Sequence, residues 1–202
     1  MERPEQPSNW EELPRVTTVL QAAGIINFDG IEAGVLNTAR DRGTAVHRML
    51  QYYDEGDLDE DLAGYLESWE DLAGYLESWK KFRGETGFEP RLIEQEVWHL
   101  GPDYRGHIDR WGTTTKGKFP LVDIKSGAEQ PSHVIQISAY YRALQFAFPD
   151  EAVTDAWLVY LNRGGYKVKE VPLYEATGSH YNLFMSALAI YTWRREHGLI
   201  AA

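Results

Sequence analysis

Cysteine is absent from all 202 residues, which excludes disulfides, cysteine-ligated zinc and thiolate-held iron–sulfur clusters. Also missing is an apolar run long enough for a membrane helix, and the opening Met1-Glu2-Arg3-Pro4-Glu5-Gln6 lacks the apolar core of a signal peptide. The expectation is a cytoplasmic protein with no membrane partner. Positive charge is scarce: 20 Lys and Arg against 31 Asp and Glu give a formal net charge of −11. A protein that coats nucleic acid indiscriminately would be basic, so the charge argues against that class. It does not exclude a nuclease, in which metal ions bring positive charge to the site itself. What the chain has in quantity is aromatic surface, with seven Trp and twelve Tyr. Its length fits one domain with a real core.

Residues 1–14 are polar and proline-bearing and read as a loosely held lead-in, leaving 15–202 as a single domain. Thr17 or Thr18 can cap a short helix through Ala23, stopped by Gly24. A longer helical pattern follows from about Glu32 to Tyr53, with Val35, Leu36, Ala39, Val46, Leu50 and Tyr53 as its apolar stripe. Arg40, Gly43, Thr44 and His47 recur at spacings of three or four, near one face. Asp54 to Asp61 is an acidic connector without the ligand spacing of a calcium loop, and reads as solvated. The decapeptide Glu60 to Trp69 then recurs unchanged as residues 70–79. On a helix the second copy is rotated by roughly 80° relative to the first, so both cannot present Leu, Tyr and Trp to one surface. A duplication that lengthens a peripheral helix accounts for it.

From Pro90 the period becomes that of strands: Arg91 to Leu100, then Tyr104 to Thr113 after a Gly101-Pro102-Asp103 turn. Leu121-Val122-Asp123-Ile124-Lys125-Ser126-Gly127 reads as a short buried strand ended by Ser-Gly. Pro131 and Ser132 open a helix through about Phe148, Val153 to Leu161 and Tyr166 to Leu173 flank an Asn-Arg-Gly-Gly hairpin, and Glu175 to His197 closes the chain as a helix. The expected fold is α/β (α+β), with a mixed central sheet flanked by helices in the order α-βββ-α-ββ-α.

Residues two apart on a strand share a face, so Asp123 and Lys125 project together while Val122 and Ile124 point the other way. Taken alone, the pair admits two readings. It is an ion pair at a strand end, or Asp123 holds a divalent cation while Lys125 acts on a water and a phosphate. Its neighbours bear on the choice. Asp109 falls on the preceding strand and offers a second acid, oxygen ligands that suit Mg²⁺ or Mn²⁺. Gln136 and Tyr140 share a face of the following helix. His47 adds an imidazole, which suits Mn²⁺ better than Mg²⁺.

Together, Arg42-Gly43-Thr44-(x)₂-His47, Gly106-(x)₂-Asp109, Asp123-x-Lys125 and Gln136-(x)₃-Tyr140 resemble the PD-(D/E)XK nuclease superfamily, most closely its RecB-like exonuclease branch with phage-type members, over roughly residues 15–195. The resemblance implies a restriction-endonuclease-like core and a Mg²⁺ or Mn²⁺ cofactor held by His47, Asp109, Asp123 and the backbone carbonyl of Ile124. Lys125 would orient the attacking water or stabilise phosphorane charge, and Gln136 and Tyr140 would steady the lysine or the DNA backbone. An acid on the first strand often completes such a site. Glu94 and Glu96 share a face, and Glu96 is favoured because Val97-Trp98 follows it. Relatives with an iron–sulfur cluster carry four cysteines, so this chain departs from them and no cluster is expected.

Arg40, Arg42, Thr44 and Arg142 are candidates to greet phosphates. Tyr52, Trp98, Tyr104 and Trp111 are candidates to stack on bases, with core packing the commoner fate of such residues. The implied function is a metal-dependent DNA exonuclease that prefers single-stranded ends, with a partner protein in recombination or replication left unspecified. A structure- or site-selective endonuclease and a silent DNA-end-binding module are the alternatives.

Overall fold

The computed structural model describes residues 5–58 and 69–200. Its centre is a five-stranded mixed sheet in the spatial order β1 (Glu89–His99), β2 (Tyr104–Thr113), β3 (Pro120–Lys125), β4 (Asp155–Asn162), β5 (Gly165–Val171). Neighbouring strands are antiparallel except β3 and β4, which run parallel. A parallel pair needs a long crossover, and the helix α4 (Ser132–Ala147) supplies it. The remaining helices are α1 (Val16–Ala22), α2 (Ala33–Glu55), α3 (Trp69–Thr86), α5 (Leu173–Thr177) and α6 (Ser179–Glu196). The fold is α/β, a five-stranded mixed sheet flanked by helices.

Alternation along the strands gives the sheet two apolar faces. Leu121, Leu158 and Tyr160 join α1, α4 and α6 in one cluster, while Val122, Ile124, Trp157 and Val159 join α2 and α3 in the other. The second cluster corrects the view of the duplicated segment as peripheral. The first copy lies outside the described residues except for Trp69. The second brings Tyr75, Leu76 and Trp79 into the core, with Trp79 stacked on Phe82 at 5.0 Å. Ser78 Oγ donates to the Asn162 carbonyl at 2.6 Å, and a Cβ on Gly74 would stand 2.9 Å from the Arg163 backbone. Trp79→Ala should therefore cost about 3–5 kcal/mol in urea denaturation. A loss under about 1 kcal/mol would mean that the second copy is not built into the core.

Three other expectations need correction. Residues 10–14 are tied down: Trp10 packs on the Arg105 guanidinium, which donates to the carbonyls of Leu13 and Glu11. In α2 the buried residues are Val46, Met49 and Leu50, whereas Val35 and Ala39 are exposed, so the first half of the helix projects from the body. The closing helix is broken at Gly178, where a Cβ would stand 2.6 Å from the Tyr174 carbonyl oxygen.

Candidate active site

The site forms where β2 and β3 part. Their pairing is registered at Trp111↔Leu121 and Arg110↔Val122. One step further, the same register sets Asp109 opposite Asp123. Asp109 Oδ2 accepts the Ile124 N–H at 2.6 Å, so the neighbouring strand's backbone fixes this acid. Ile124 itself is buried with its side chain in the α2–α3 cluster.

Side-chain alternation on β2 shifts by one residue at this point. Ile108 and Trp111, three apart, both belong to the α4-side cluster, which leaves Asp109 and Arg110 to turn toward α2. His47 of α2 meets them, with Nδ1 at 3.4 Å from Asp109 Oδ1 and 3.7 Å from Glu94 Oε1. Glu94 reaches this point because its backbone is left-handed, with φ of 45°. That conformation costs a non-glycine residue on the order of 1–3 kcal/mol and concentrates at functional sites. The first-strand acid is thus Glu94, and the preference for Glu96 is corrected. Glu96 lines a small cavity with Trp10, Arg15, His107 and Tyr140.

On the other side of Asp109 the expected chain of contacts is present. Lys125 Nζ lies 2.7 Å from Asp123 Oδ2 and donates to Gln136 Oε1 at 3.2 Å, and Gln136 Nε2 donates to the Tyr140 hydroxyl at 2.9 Å. Gln136 and Tyr140 are both buried, so α4 presents a fixed polar pair to the lysine. Asp123 is buried, and the Lys125 ammonium is the cation that meets its Oδ2.

Burial pushes the Asp123 carboxyl above its ordinary range, and Asp109 adds to the rise against the opposing pull of Lys125. Burial acts on Asp109 too, but His47, Lys125 and the Ile124 N–H outweigh it and hold this carboxyl low. For His47, burial is again the largest influence and would lower the imidazole. Asp109 and Glu94 together reverse it, so the ring is an imidazolium. Among the described residues, His47, Glu94 and Asp109 offer one ligand atom each, all within 4.8 Å of one another. One nitrogen and several carboxylate oxygens form a donor set that fits Mn²⁺ or Mg²⁺.

Behind this set stands a support that sequence reading missed. Asp54, taken as the start of a solvated connector, has a fully buried side chain. It accepts from Trp79 Nε1 at 2.9 Å, Arg83 at 2.9 Å and Arg110 Nε at 2.7 Å. Arg110, equally buried, reaches Glu94 Oε1 at 2.8 Å and the Asp109 carbonyl at 2.6 Å. Arg110 thereby links the Glu94 carboxylate to Asp54, which Trp79 also meets. The adjacency of Arg110 to Asp109 was the one signal available for this.

The outer residues divide. Arg40, Arg42 and Thr44 are exposed on α2 before His47, with Thr44 Oγ1 donating to the Arg40 carbonyl. A Cβ on Gly43 would stand 3.7 Å from Ser126 Oγ, an ordinary contact, which sets this turn of α2 beside the residue after Lys125. Arg142 is not with them. It lies over the Tyr181 ring at 5.3 Å, beside α6. Six positions along a helix amount to about 240°, which turns residue 142 away from Gln136. Trp98, Tyr104 and Trp111 are core residues, while Tyr52 remains exposed.

No family model matches the sequence, and no curated protein matches it. A solved structure described as "Crystal structure of SSO0001" is similar over 73% of this chain and 69% of that one, at 17% identity and a TM-score of 0.36. A likeness at that level carries no argument about the site. Among the described residues, no helix is long and apolar enough to cross a membrane.

Proposed function

We propose that this chain is a metal-dependent deoxyribonuclease with a PD-(D/E)XK-type centre, acting at DNA ends and preferring single strands. The observation that carries the reading is the junction of Asp109, Asp123 and Lys125 at the opening between β2 and β3, with His47 and Glu94 facing Asp109. An ordinary ion pair at a strand end would not have Asp109 opposite it, with His47 and Glu94 gathered around that second acid.

In this reading His47, Glu94, Asp109, Asp123 and the Ile124 carbonyl hold Mg²⁺ or Mn²⁺. When bound, the cation polarises the scissile phosphate and lowers the pKa of a water. Lys125, aimed by Gln136, places its ammonium where charge builds on the phosphoryl oxygens, and stabilisation there acts chiefly in the transition state. Tyr140 keeps Gln136 oriented. Arg40 and Arg42 take phosphates of the entering strand. The products are 5′-phosphate and 3′-hydroxyl ends.

The net charge of −11 leaves little attraction along a DNA backbone, so productive binding needs a threaded end. Linear single strands should be degraded with Mg²⁺ or Mn²⁺ while closed single-stranded circles survive much longer in a gel time course, with EDTA as control. Circles cut as fast as linear strands would assign an endonuclease. A mobility shift with no cleavage in any metal would assign a binding module.

A further inference from the structure

Strand register extends the site beyond the residues named so far. Lys125 pairs with Tyr160 on β4, and Tyr160 pairs with Lys167 on β5. One row over, Asp123 pairs with Leu158, and Leu158 with Lys169. Directly paired residues share a face of the sheet, so Lys167 and Lys169 lie on the face that carries Asp123 and Lys125, two strands away. At about 4.8 Å per strand, that is roughly 10 Å. Between them the Tyr160 hydroxyl meets His133 Nδ1 at 3.1 Å. Tyr160 and Leu158 are buried beneath α4, so this row carries Lys125 at one end and the two ammonium groups of the edge strand β5 at the other.

Those ammoniums already hold an anion. Glu129, in the loop between β3 and α4, accepts from Lys167 at 3.1 Å and from Lys169. Lysines on an edge strand also deter pairing with other sheets, but that role needs no shared carboxylate and no alignment with Lys125. Both are present here. One carboxylate bridging two lysines has the charge and the acceptor geometry of a phosphodiester.

We infer that Lys167 and Lys169 form a backbone subsite for the DNA strand, binding a phosphate neighbouring the scissile one, with Glu129 as an internal stand-in that the phosphate displaces. The inference rests on the nuclease reading and adds to it a direction: the bound strand runs from Lys125 past the β3–α4 loop toward the β5 edge. It also gives the β3–α4 loop a role in substrate entry, because its carboxylate competes with substrate for the same two lysines.

The test is binding of an end-labelled oligothymidine in EDTA, followed by anisotropy across a salt series. The double variant Lys167→Ala/Lys169→Ala should bind at least about tenfold more weakly, with a salt slope shallower by roughly 0.7 for each phosphate no longer neutralised. Its Mn²⁺ affinity by calorimetry should stay at the wild-type value, which shows fold and metal centre intact. Glu129→Gln should bind more tightly than wild type, and more tightly than Glu196→Gln, which removes an exposed acid from the last helix. Unchanged DNA affinity in the double variant overturns the subsite. Equal gains from the two glutamine variants overturn the stand-in. A wild-type chain that neither binds nor cleaves the oligonucleotide overturns this inference and the nuclease reading together. Normal wild-type binding and cleavage with an unaffected double variant overturns this inference alone.

Discussion

Lys125→Ala is expected to lower the cleavage rate by about three orders of magnitude, some 4 kcal/mol of transition-state stabilisation, while Mn²⁺ binding persists. The geometry sets both halves of this result. Lys125 Nζ is held between Asp123 and Gln136 and is only slightly exposed. Its loss therefore removes a positioned charge where phosphate charge develops. The same substitution leaves Asp123 without its cation, and a bare buried carboxylate attracts a divalent ion more strongly. Metal affinity should thus hold or rise as the rate collapses. Single-turnover rates and Mn²⁺ calorimetry on one preparation give both numbers. A rate within tenfold of wild type would reduce Asp123 and Lys125 to a strand-end ion pair. A parallel collapse of rate and DNA affinity would make Lys125 a phosphate anchor instead.

The second large effect is a crossover in stability at Asp123. This carboxyl is raised in the fold, so its protonated form is the one that the structure favours. Such a group stabilises the fold fully below the ordinary aspartate pKa, and that contribution is lost as pH rises through the raised value. At pH 7 without metal, the ionised carboxylate is a net cost. Asp123→Asn, nearly isosteric and neutral, should raise metal-free stability at pH 7 by roughly 1–3 kcal/mol. Lys125 keeps Gln136 as its acceptor in that variant. The gain should shrink toward pH 4, where wild-type Asp123 takes up its own proton. Asp109 works in the opposite sense, since its lowered carboxyl stabilises the fold above the ordinary range and loses that contribution as pH falls. The comparison is therefore made between proteins at each pH. Saturating Mn²⁺ should invert the order, because a ligand held by the native state stabilises only the chain that binds it. Paired thermal melts in EDTA and in Mn²⁺ test this. An Asn variant that gains as much from Mn²⁺ as wild type would remove Asp123 from the ligand set.

What could be read from the sequence was local. Asp123 and Lys125 are two apart on a strand, Gln136 and Tyr140 four apart on a helix, and the Asn162–Gly165 hairpin lies in adjacent residues. Each follows from a fixed period or a turn type, and each is present in the fold. What could not be read depends on contacts distant in sequence or on a break in the period. Asp54 looked solvated because Arg83 and Arg110, which bury it, lie 29 and 56 residues away. Glu94 lost to Glu96 because both sit on one face of an unbroken strand, and a left-handed residue is invisible to period counting. Arg142 was placed by its charge rather than by its angle around the helix. Val35 and Ala39 kept the apolar pattern of a buried stripe on a stretch that no described element covers.

The tandem decapeptide has a genetic consequence beyond its packing. Because the copies are identical, removing either yields the same protein, and a third copy yields the same protein whichever copy was reduplicated. In every such product a complete copy stands immediately before Lys80. The spacing of Tyr75, Leu76 and Trp79 to Phe82, on which the α2–α3 core depends, is thereby preserved. Only the length of chain leading from Glu55 into α3 changes. A change in copy number therefore alters the chain length by steps of ten residues without shifting the core's frame.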